Sequence, residues 1–182
     1  MKKLFLIFAL LPPFSARAET AAEFISRVEK NVPPPIRFAM SVKTEGGSMN
    51  YEGALKDKKW RMDGTVNGQN STVLFDGKDV VIVMMGMAMK HDGADKMIDL
   101  PDGNGFELGE QTSVGGQPCR MIVRKSEKVC ISERYALPIY AETNGSVMTV
   151  TDIRETAVPD SEFDPPANIP VMDMSNALRF GG

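Results

Sequence analysis

Between Met49 and Leu100, apolar and polar residues alternate in short runs that are separated by turn residues. Asn67-Gly68, Asp76-Gly77 and Asp92-Gly93 mark three of these turns. A strand places successive side chains on opposite faces, and Asn-Gly or Asp-Gly supplies the positive φ of a tight hairpin turn. This stretch therefore predicts an antiparallel meander.

The run from Val80 to His91 is the exception, because it does not alternate. Its odd positions carry Val, Val, Met, Met, Met and His, and its even positions are apolar as far as Ala88. We therefore predict one central strand that is covered on both faces. We expect a ligand to supply part of that cover.

Outside this stretch, the residues from Thr20 to Asn31 predict a helix. Phe24, Ile25 and Val28 share its apolar stripe, and Thr20 and Glu23 have the spacing of a capping box. Alternation predicts further strands at Ile36–Lys43, Met49–Leu55, Trp60–Asp63, Leu137–Thr143 and Ser146–Glu155, and one that ends at Val73–Phe75.

Two segments carry weaker signals. The stretch from Asp92 to Gln117 predicts a long loop, with a short helix inside it, and long loops often act as lids. The proline-rich tail from Pro159 to Met174 is expected to lie extended across one end of the domain.

The first 18 residues have the form of a secretory signal peptide. Lys2 and Lys3 precede an apolar run, Leu4–Leu11, and Ala16-Arg17-Ala18 is an A-x-A cleavage site. The alternative is an N-terminal core helix, which gives no reason for the small residues at that site. We predict cleavage after Ala18, a periplasmic location, and a single soluble domain over residues 19–182.

The charge balance limits the partners that this domain can have. Cleavage removes the three positive charges of Lys2, Lys3 and Arg17, so the formal charge changes from −3 to −6. An acidic domain is not built to hold nucleic acid or an anionic membrane surface. No segment of the mature chain is long and apolar enough to predict a transmembrane helix.

The chain has two cysteines, Cys119 and Cys130, and export to an oxidising compartment favours a disulfide between them. They flank a predicted hairpin, Arg120–Val129, whose midpoint falls between Arg124 and Lys125. In a symmetric hairpin the two cysteines lie directly opposite each other, within disulfide reach. A two-thiol metal site is the alternative, but the chain has no C-x-x-C motif and only one histidine.

None of the motifs for nucleophilic hydrolases, nucleotide-binding loops or zinc proteases occurs in the sequence, so we predict a protein that is not an enzyme and has no cofactor. One pattern has metal chemistry. Met85, Met87, Met89 and His91 share one face if Val80–His91 is a single strand, and thioether and imidazole ligands suit Cu(I). Methionines lining an apolar face are the simpler interpretation, which we prefer because the apolar run begins well before the first methionine.

The run from Gly53 to Val80, GALKDKKWRMDGTVNGQNSTVLFDGKDV, resembles periplasmic lipoprotein carriers of the LolA/LolB type and their lipoprotein-sorting relatives. Its shared features are a glycine strand, a basic-aromatic step and LFDGK before an apolar strand. The helix at Thr20–Asn31 is similar to that family's opening, and Val150–Ile153 followed by Val158–Asp164 is similar to its ending. The Cys hairpin is closer to an uncharacterised branch, and Val80–Met89 lacks the aromatics that the carriers have there.

The resemblance implies a mainly β fold of the α+β class: one curved antiparallel sheet that forms a half-closed barrel, with short helices covering its concave face. It also implies an apolar cavity for acyl chains, with lipid or lipid-modified protein as partner and envelope lipoprotein-sorting components as further partners. We expect the ligand to contact residues on the apolar side of the strands: Phe38, Met40, Trp60, Met62, Phe75, Met85, Met87 and Met89. The alternative functions are periplasmic copper binding and an envelope interaction module whose cavity is only core.

Overall fold

The structure is a computed structural model that describes residues 17–66, 68–92 and 100–173; the side chains of Val66, His91 and Asp92 are not described. Nearly all of the predicted signal peptide, residues 1–16, lies outside the described residues. The described part holds one α-helix, α1 (Ala21–Val28), one 3₁₀ helix (Asp160–Phe163) and twelve strands. The strands are β1 (Ile36–Thr44), β2 (Gly47–Lys56), β3 (Lys59–Val66), β4 (Gln69–Phe75), β5 (Asp79–Met84), β6 (Met87–Asp92), β7 (Glu107–Val114), β8 (Gln117–Arg124), β9 (Glu127–Ser132), β10 (Leu137–Thr143), β11 (Ser146–Glu155) and β12 (Val171–Asp173).

All twelve strands belong to one open, curved sheet in the order β12-β6-β5-β4-β3-β2-β1-β11-β10-β9-β8-β7. Every neighbouring pair is antiparallel except β12 and β6, which are parallel. The mainly β class and the curved sheet are confirmed, whereas the half-closed barrel stays a prediction. The open edges of this sheet are β12 and β7.

The helix α1 begins where the sequence predicts. The Thr20 backbone N–H donates to the Glu23 carboxylate at 2.8 Å, and the Glu23 N–H donates to the Thr20 hydroxyl at 3.2 Å. This reciprocal capping box satisfies two backbone donors at the start of the helix. Phe24, Ile25 and Val28 are almost fully buried, and they pack against Ile122 and Ile131 on β8 and β9 together with Ala21, Phe106, Leu100, Leu108, Val129 and Ala136.

The register of the strands defines two faces of the sheet. The cavity face carries Phe38, Met40, Trp60, Met62 and Phe75, and the tail face carries Ala54, Leu74, Val81 and Ala88. Val129, Ala141, Met148 and Val42 are consecutive register partners across β9, β10, β11 and β1, so α1 lies on the cavity face.

Two glycines let aromatic rings lie flat on the cavity face. Phe38 is the register partner of Gly53, and a Cβ at Gly53 would lie 2.3 Å from the Phe38 ring. Tyr51 lies over Gly64 in the same way, with a distance of 2.4 Å. Because only hydrogen fits beneath these rings, each glycine is required by the packing rather than by the backbone.

The C-terminal segment covers the tail face instead of lying across one end of the domain. Val158 and Phe163 bury Ala54, and Ile169 packs on Leu74, Val81 and Ala88. Ion pairs fasten the 3₁₀ helix to the sheet: Arg37 with Glu162 at 2.6 Å and Lys56 with Asp160 at 3.0 Å. This helix lies on the tail face, whereas α1 lies on the cavity face. That short helices cover the concave face stays a prediction.

The predicted single strand from Val80 to His91 is wrong. It is a hairpin of β5 and β6, in which Met84 pairs with Met87 and the turn is Met85-Gly86. Both turn residues have positive φ, 54° and 73°, as a tight hairpin turn requires. The apolar sequence around it concealed the turn. As a consequence Met85 lies in the turn and leaves the predicted face, whereas Met87 and Met89 still share one face of β6.

The predicted long loop between Asp92 and Gln117 contains β7, which the sequence analysis missed. Residues 93–99 of that loop lie outside the described residues. Among the described residues β7 pairs only with β8. It is largely exposed, so it has none of the apolar alternation that marks a strand with a buried face. No helix is present in residues 100–117, the described part of that loop.

The disulfide between Cys119 and Cys130 is confirmed, with a Cα–Cα distance of 5.5 Å. Its predicted position in the hairpin was wrong by one residue. Arg124 pairs with Glu127, so the turn is Lys125-Ser126, and Cys130 lies opposite Met121. The disulfide is therefore diagonal across the hairpin. Both cysteines are almost fully buried, at 2% and 0% exposure.

Candidate functional site

A cavity of about 480 Å³ lies between the C-terminal end of α1 and the cavity face of β2, β3 and β4. This volume is within the range of about 300–1,000 Å³ that is usual for small-molecule sites. Apolar residues form much of its lining and charged residues lie among them: Glu29, Asn31, Pro33, Leu55, Lys58, Trp60, Phe75, Leu100, Asp102 and Ala136. We refer to it as the helix-sheet cavity.

The strand register brings three apolar side chains of the cavity together. Leu55 pairs with Trp60 across β2 and β3, and Trp60 pairs with Phe75 across β3 and β4. The centroids of the Trp60 and Phe75 rings are 6.2 Å apart, and the rings are inclined by 33°. Leu55 and Trp60 are buried and Phe75 is half-buried. An apolar surface therefore forms the sheet side of the cavity.

The opposite wall comes from the segment that begins at residue 100. Leu100 packs with the apolar cluster under α1, and Gly103 approaches the helix so closely that a Cβ would lie 2.7 Å from the Ala22 Cα. Gly103 also has a φ of 75°, which favours glycine. The close contact fixes this segment against the start of the helix, while its first residues line the cavity.

The turn between β2 and β3 adds a cation to this cavity. Lys56 pairs with Lys59, and the two turn residues, Asp57 and Lys58, have φ values of 50° and 67°. Lys58 is exposed, lines the cavity, and forms no ion pair within the described residues. Glu29 also lines the cavity, and its carboxylate opposes the positive charge of Lys58.

The structure brings together only part of the ligand-contact set that the sequence predicts. Trp60 and Phe75 line the helix-sheet cavity. Phe38 and Met62 are on the same face but are core residues, at 2% and 0% exposure. Met40 is half-buried and borders a separate depression on β1–β4. The three predicted methionines of the Val80–His91 run do not line the helix-sheet cavity.

Several residues of the cavity were not in the predicted set. Leu55 could have been found, because it alternates with Gly53 and Tyr51 on the apolar side of β2. Pro33, Leu100 and Ala136 come from loops whose sequences carry no periodic signal, so their convergence depends on the tertiary structure.

A second depression, of about 710 Å³, borders mainly polar residues of the tail face on β1–β4. Asp63 is its central charged group. Burial raises the pKa of Asp63, but hydrogen bonds from Arg61 and Thr72 outweigh that effect and hold the pKa below its ordinary value. The Arg61 Nε donates to Asp63 at 2.7 Å. Since these partners occupy both carboxylate oxygens, Asp63 has a structural role in the sheet.

Within residues 17–66, 68–92 and 100–173, no group of three or more His, Cys, Asp or Glu side chains is placed to hold a metal ion. None of the helices in this part of the chain has the length and apolar character that crossing a membrane requires.

The sequence matches no protein-family model and no curated protein. Its fold is similar to that of an uncharacterized conserved protein from Thermus thermophilus, with a TM-score of 0.63 and 14% identity over 84% of this chain and 98% of that one. PNGF-II matches with a TM-score of 0.52 and 9% identity, over 80% of this chain and 32% of PNGF-II. A chain from a complex of Pseudomonas aeruginosa MucA and MucB matches with a TM-score of 0.47 and 14% identity, over 84% of this chain and 63% of that one. These identities show a shared fold alone.

Proposed function

We propose that the chain is an exported periplasmic carrier or chaperone that binds an acyl chain of a lipid or lipid-modified protein, without catalysis. The observation that carries the proposal is the helix-sheet cavity, where Leu55, Trp60 and Phe75 offer an apolar surface beneath α1. The signal-peptide sequence and the resemblance to lipoprotein carriers support the same function. No catalytic group is needed, because burial of the chain supplies the binding energy.

The expected affinity suits a carrier. Burial contributes about 0.8 kcal/mol for each CH₂ group, so a dozen methylenes give roughly 9–10 kcal/mol before the cost of association. An association cost of about 4 kcal/mol leaves about 5–6 kcal/mol, a dissociation constant of tens to hundreds of micromolar, which allows release to a second partner.

The charges of the cavity lining favour one class of head group. Glu29 opposes the charge of Lys58, so a free carboxylate gains little net electrostatic attraction from these two side chains. An uncharged or zwitterionic head group, as in an ester-linked or amide-linked acyl chain, does not depend on such attraction. Ligands of this type are expected to bind at least as tightly as free fatty acids of equal length.

The test uses Trp60, the only tryptophan of the chain, as the reporter. Brominated palmitic acid, its methyl ester and a brominated lysophosphatidylcholine are titrated into the mature, oxidised protein. We expect saturable quenching of Trp60 emission, with the ester or lysolipid at least as tight as the acid. Phe75→Glu is expected to abolish saturation, because an unpaired carboxylate in an apolar cavity is costly.

Val42→Glu is the matched control. Val42 is half-buried on the same face of the sheet but does not line the cavity. Circular dichroism establishes that both variants are folded. If the wild type shows no saturable quenching, or folded Phe75→Glu binds as well as Val42→Glu, the carrier proposal fails. An interaction module in which the cavity is only core then takes its place.

A further inference from the structure

Four methionines form a block at the far end of the sheet from β7. Met84 on β5 is the register partner of Met87 on β6, and Met89 on β6 is the partner of Met172 on β12. Met87 and Met89 are two residues apart on one strand, so all four lie on the cavity face. Directly opposed residues have Cβ atoms about 4.5–5.5 Å apart, within reach of flexible methionine side chains. We refer to these four residues as the methionine block.

The methionine block is not core and does not line the helix-sheet cavity. Met87 and Met172 are 47% and 45% exposed, and Met84 and Met89 are half-buried. Of the six exposed large apolar side chains in the described residues, five belong to this end of the sheet: Ile82, Met85, Met87, Val171 and Met172. Burial energy therefore gives little reason for methionine at the exposed positions Met87 and Met172.

Chemistry gives a reason. Thioether sulfur is a soft ligand that selects Cu(I), whereas imidazole binds several transition metals and carboxylates and carbonyls suit harder ions. The described residues hold no group of three or more His, Cys, Asp or Glu that could compete for a metal ion. The geometry points to a binding site for a soft monovalent cation, Cu(I), made by the thioethers of Met84, Met87, Met89 and Met172.

The hairpin changes the set of ligands that the sequence predicts for copper. Met85 is in the turn and leaves the set, Met84 enters it from β5, and Met172 enters it from β12. The three-residue edge strand β12 (Val171–Asp173) supplies one of the four methionines. The copper site thus gives this short strand a function. The site is independent of acyl-chain binding, since none of its residues lines the helix-sheet cavity.

The experiment is an anaerobic titration of the mature, oxidised protein with Cu(I) against a chromophoric Cu(I) chelator, repeated with Ag(I) as a redox-inert probe. Each block residue is changed in turn, as Met84→Leu, Met87→Leu, Met89→Leu and Met172→Leu, and then all four together. Leucine preserves volume and apolar character, so the fold is expected to survive. Met85→Leu and Met148→Leu are the controls, because neither residue belongs to the block.

We expect the wild type to compete for one Cu(I) per chain and the fourfold variant to lose all competition. Loss of even an outer partner of a metal ligand costs about 10–100-fold, so each single variant is expected to bind at least about tenfold more weakly. The controls should bind as the wild type does. X-ray absorption at the copper edge should show sulfur neighbours without nitrogen.

Three outcomes would overturn the site: a wild type that does not compete, a folded fourfold variant that still binds, or controls that lose as much affinity as the block variants. If the wild type does not compete for Cu(I) but binds a protein partner, and the fourfold variant loses that partner, the methionine block is an apolar docking surface.

Discussion

The hairpins β5–β6 and β8–β9 have turns of the same length and are stabilised in opposite ways. Each closes with two residues, Met85-Gly86 and Lys125-Ser126, and the first residue of each turn has a φ of 54°. In β8–β9, α1 covers one face and a buried disulfide fills the other. In β5–β6, Ile169 of the tail packs on one face, and exposed or half-buried methionines lie on the other.

Because the two turns match and their packing differs, we expect packing rather than turn geometry to decide how rigid each hairpin is. Local stability follows the number of buried apolar contacts and covalent constraints, and binding elements are usually drawn from the less stable end. We therefore expect β8–β9 to anchor the fold and β5–β6 to open more easily. Changes in each hairpin test this difference in stability between β8–β9 and β5–β6.

The largest effect is expected from removal of the disulfide. The double variant Cys119→Ala, Cys130→Ala should lower the free energy of unfolding by about 2–3 kcal/mol, because the cross-link closes a short loop in the unfolded chain. Guanidinium unfolding of the variant and the oxidised wild type measures this. Met84→Leu, Met87→Leu is the corresponding double change in the other hairpin and should cost under about 1.5 kcal/mol.

A smaller loss is expected from Ile169→Ala. Full burial makes such a change cost about 2–5 kcal/mol, and Ile169 is only half-buried, so we expect about 1–2 kcal/mol. Amide hydrogen exchange should become faster in β5 and β6 and stay unchanged in β8 and β9. Val171→Ala, at a residue that is 43% exposed, is the control and should change stability by less than about 0.5 kcal/mol. A uniform rise in exchange across both hairpins would contradict the division.

The same contrast explains how much of the fold could be predicted from the sequence. The β8–β9 hairpin is predictable, because polar turn residues separate its two strands and cysteines flank it. The β5–β6 hairpin resembles one strand in the sequence, because its turn residue Met85 is apolar and positive φ is unusual for methionine. β7 escapes prediction for the reverse reason, since an edge strand with little burial carries no apolar alternation.

The residues of the candidate site could be predicted only where strand register alone brings them together. Trp60 and Phe75 alternate onto one face, so their convergence follows from strand pairing. The depth of burial does not follow from alternation: Phe38 and Met62 share that face and are core. Met172 could not have been placed beside Met89, because a three-residue strand that pairs in parallel depends on the path of the tail across the tail face.

The smallest effect is expected from Met85→Asn, and it has the opposite sign. Met85 has a φ of 54° in the turn, a conformation that costs most side chains about 1–2 kcal/mol and that Asn adopts more readily. Met85 is 62% exposed and followed by Gly86, so the change creates Asn-Gly without loss of a buried contact. We expect a gain of about 0.5–1 kcal/mol in the free energy of unfolding, and slower amide exchange in β5 and β6. Lys125→Asn provides the comparison, because Lys125 also has a φ of 54° but lies in the β8–β9 hairpin, which holds the disulfide. A gain in global stability at Lys125 with no local slowing at Met85 would show that β5–β6 is not the more easily opened hairpin.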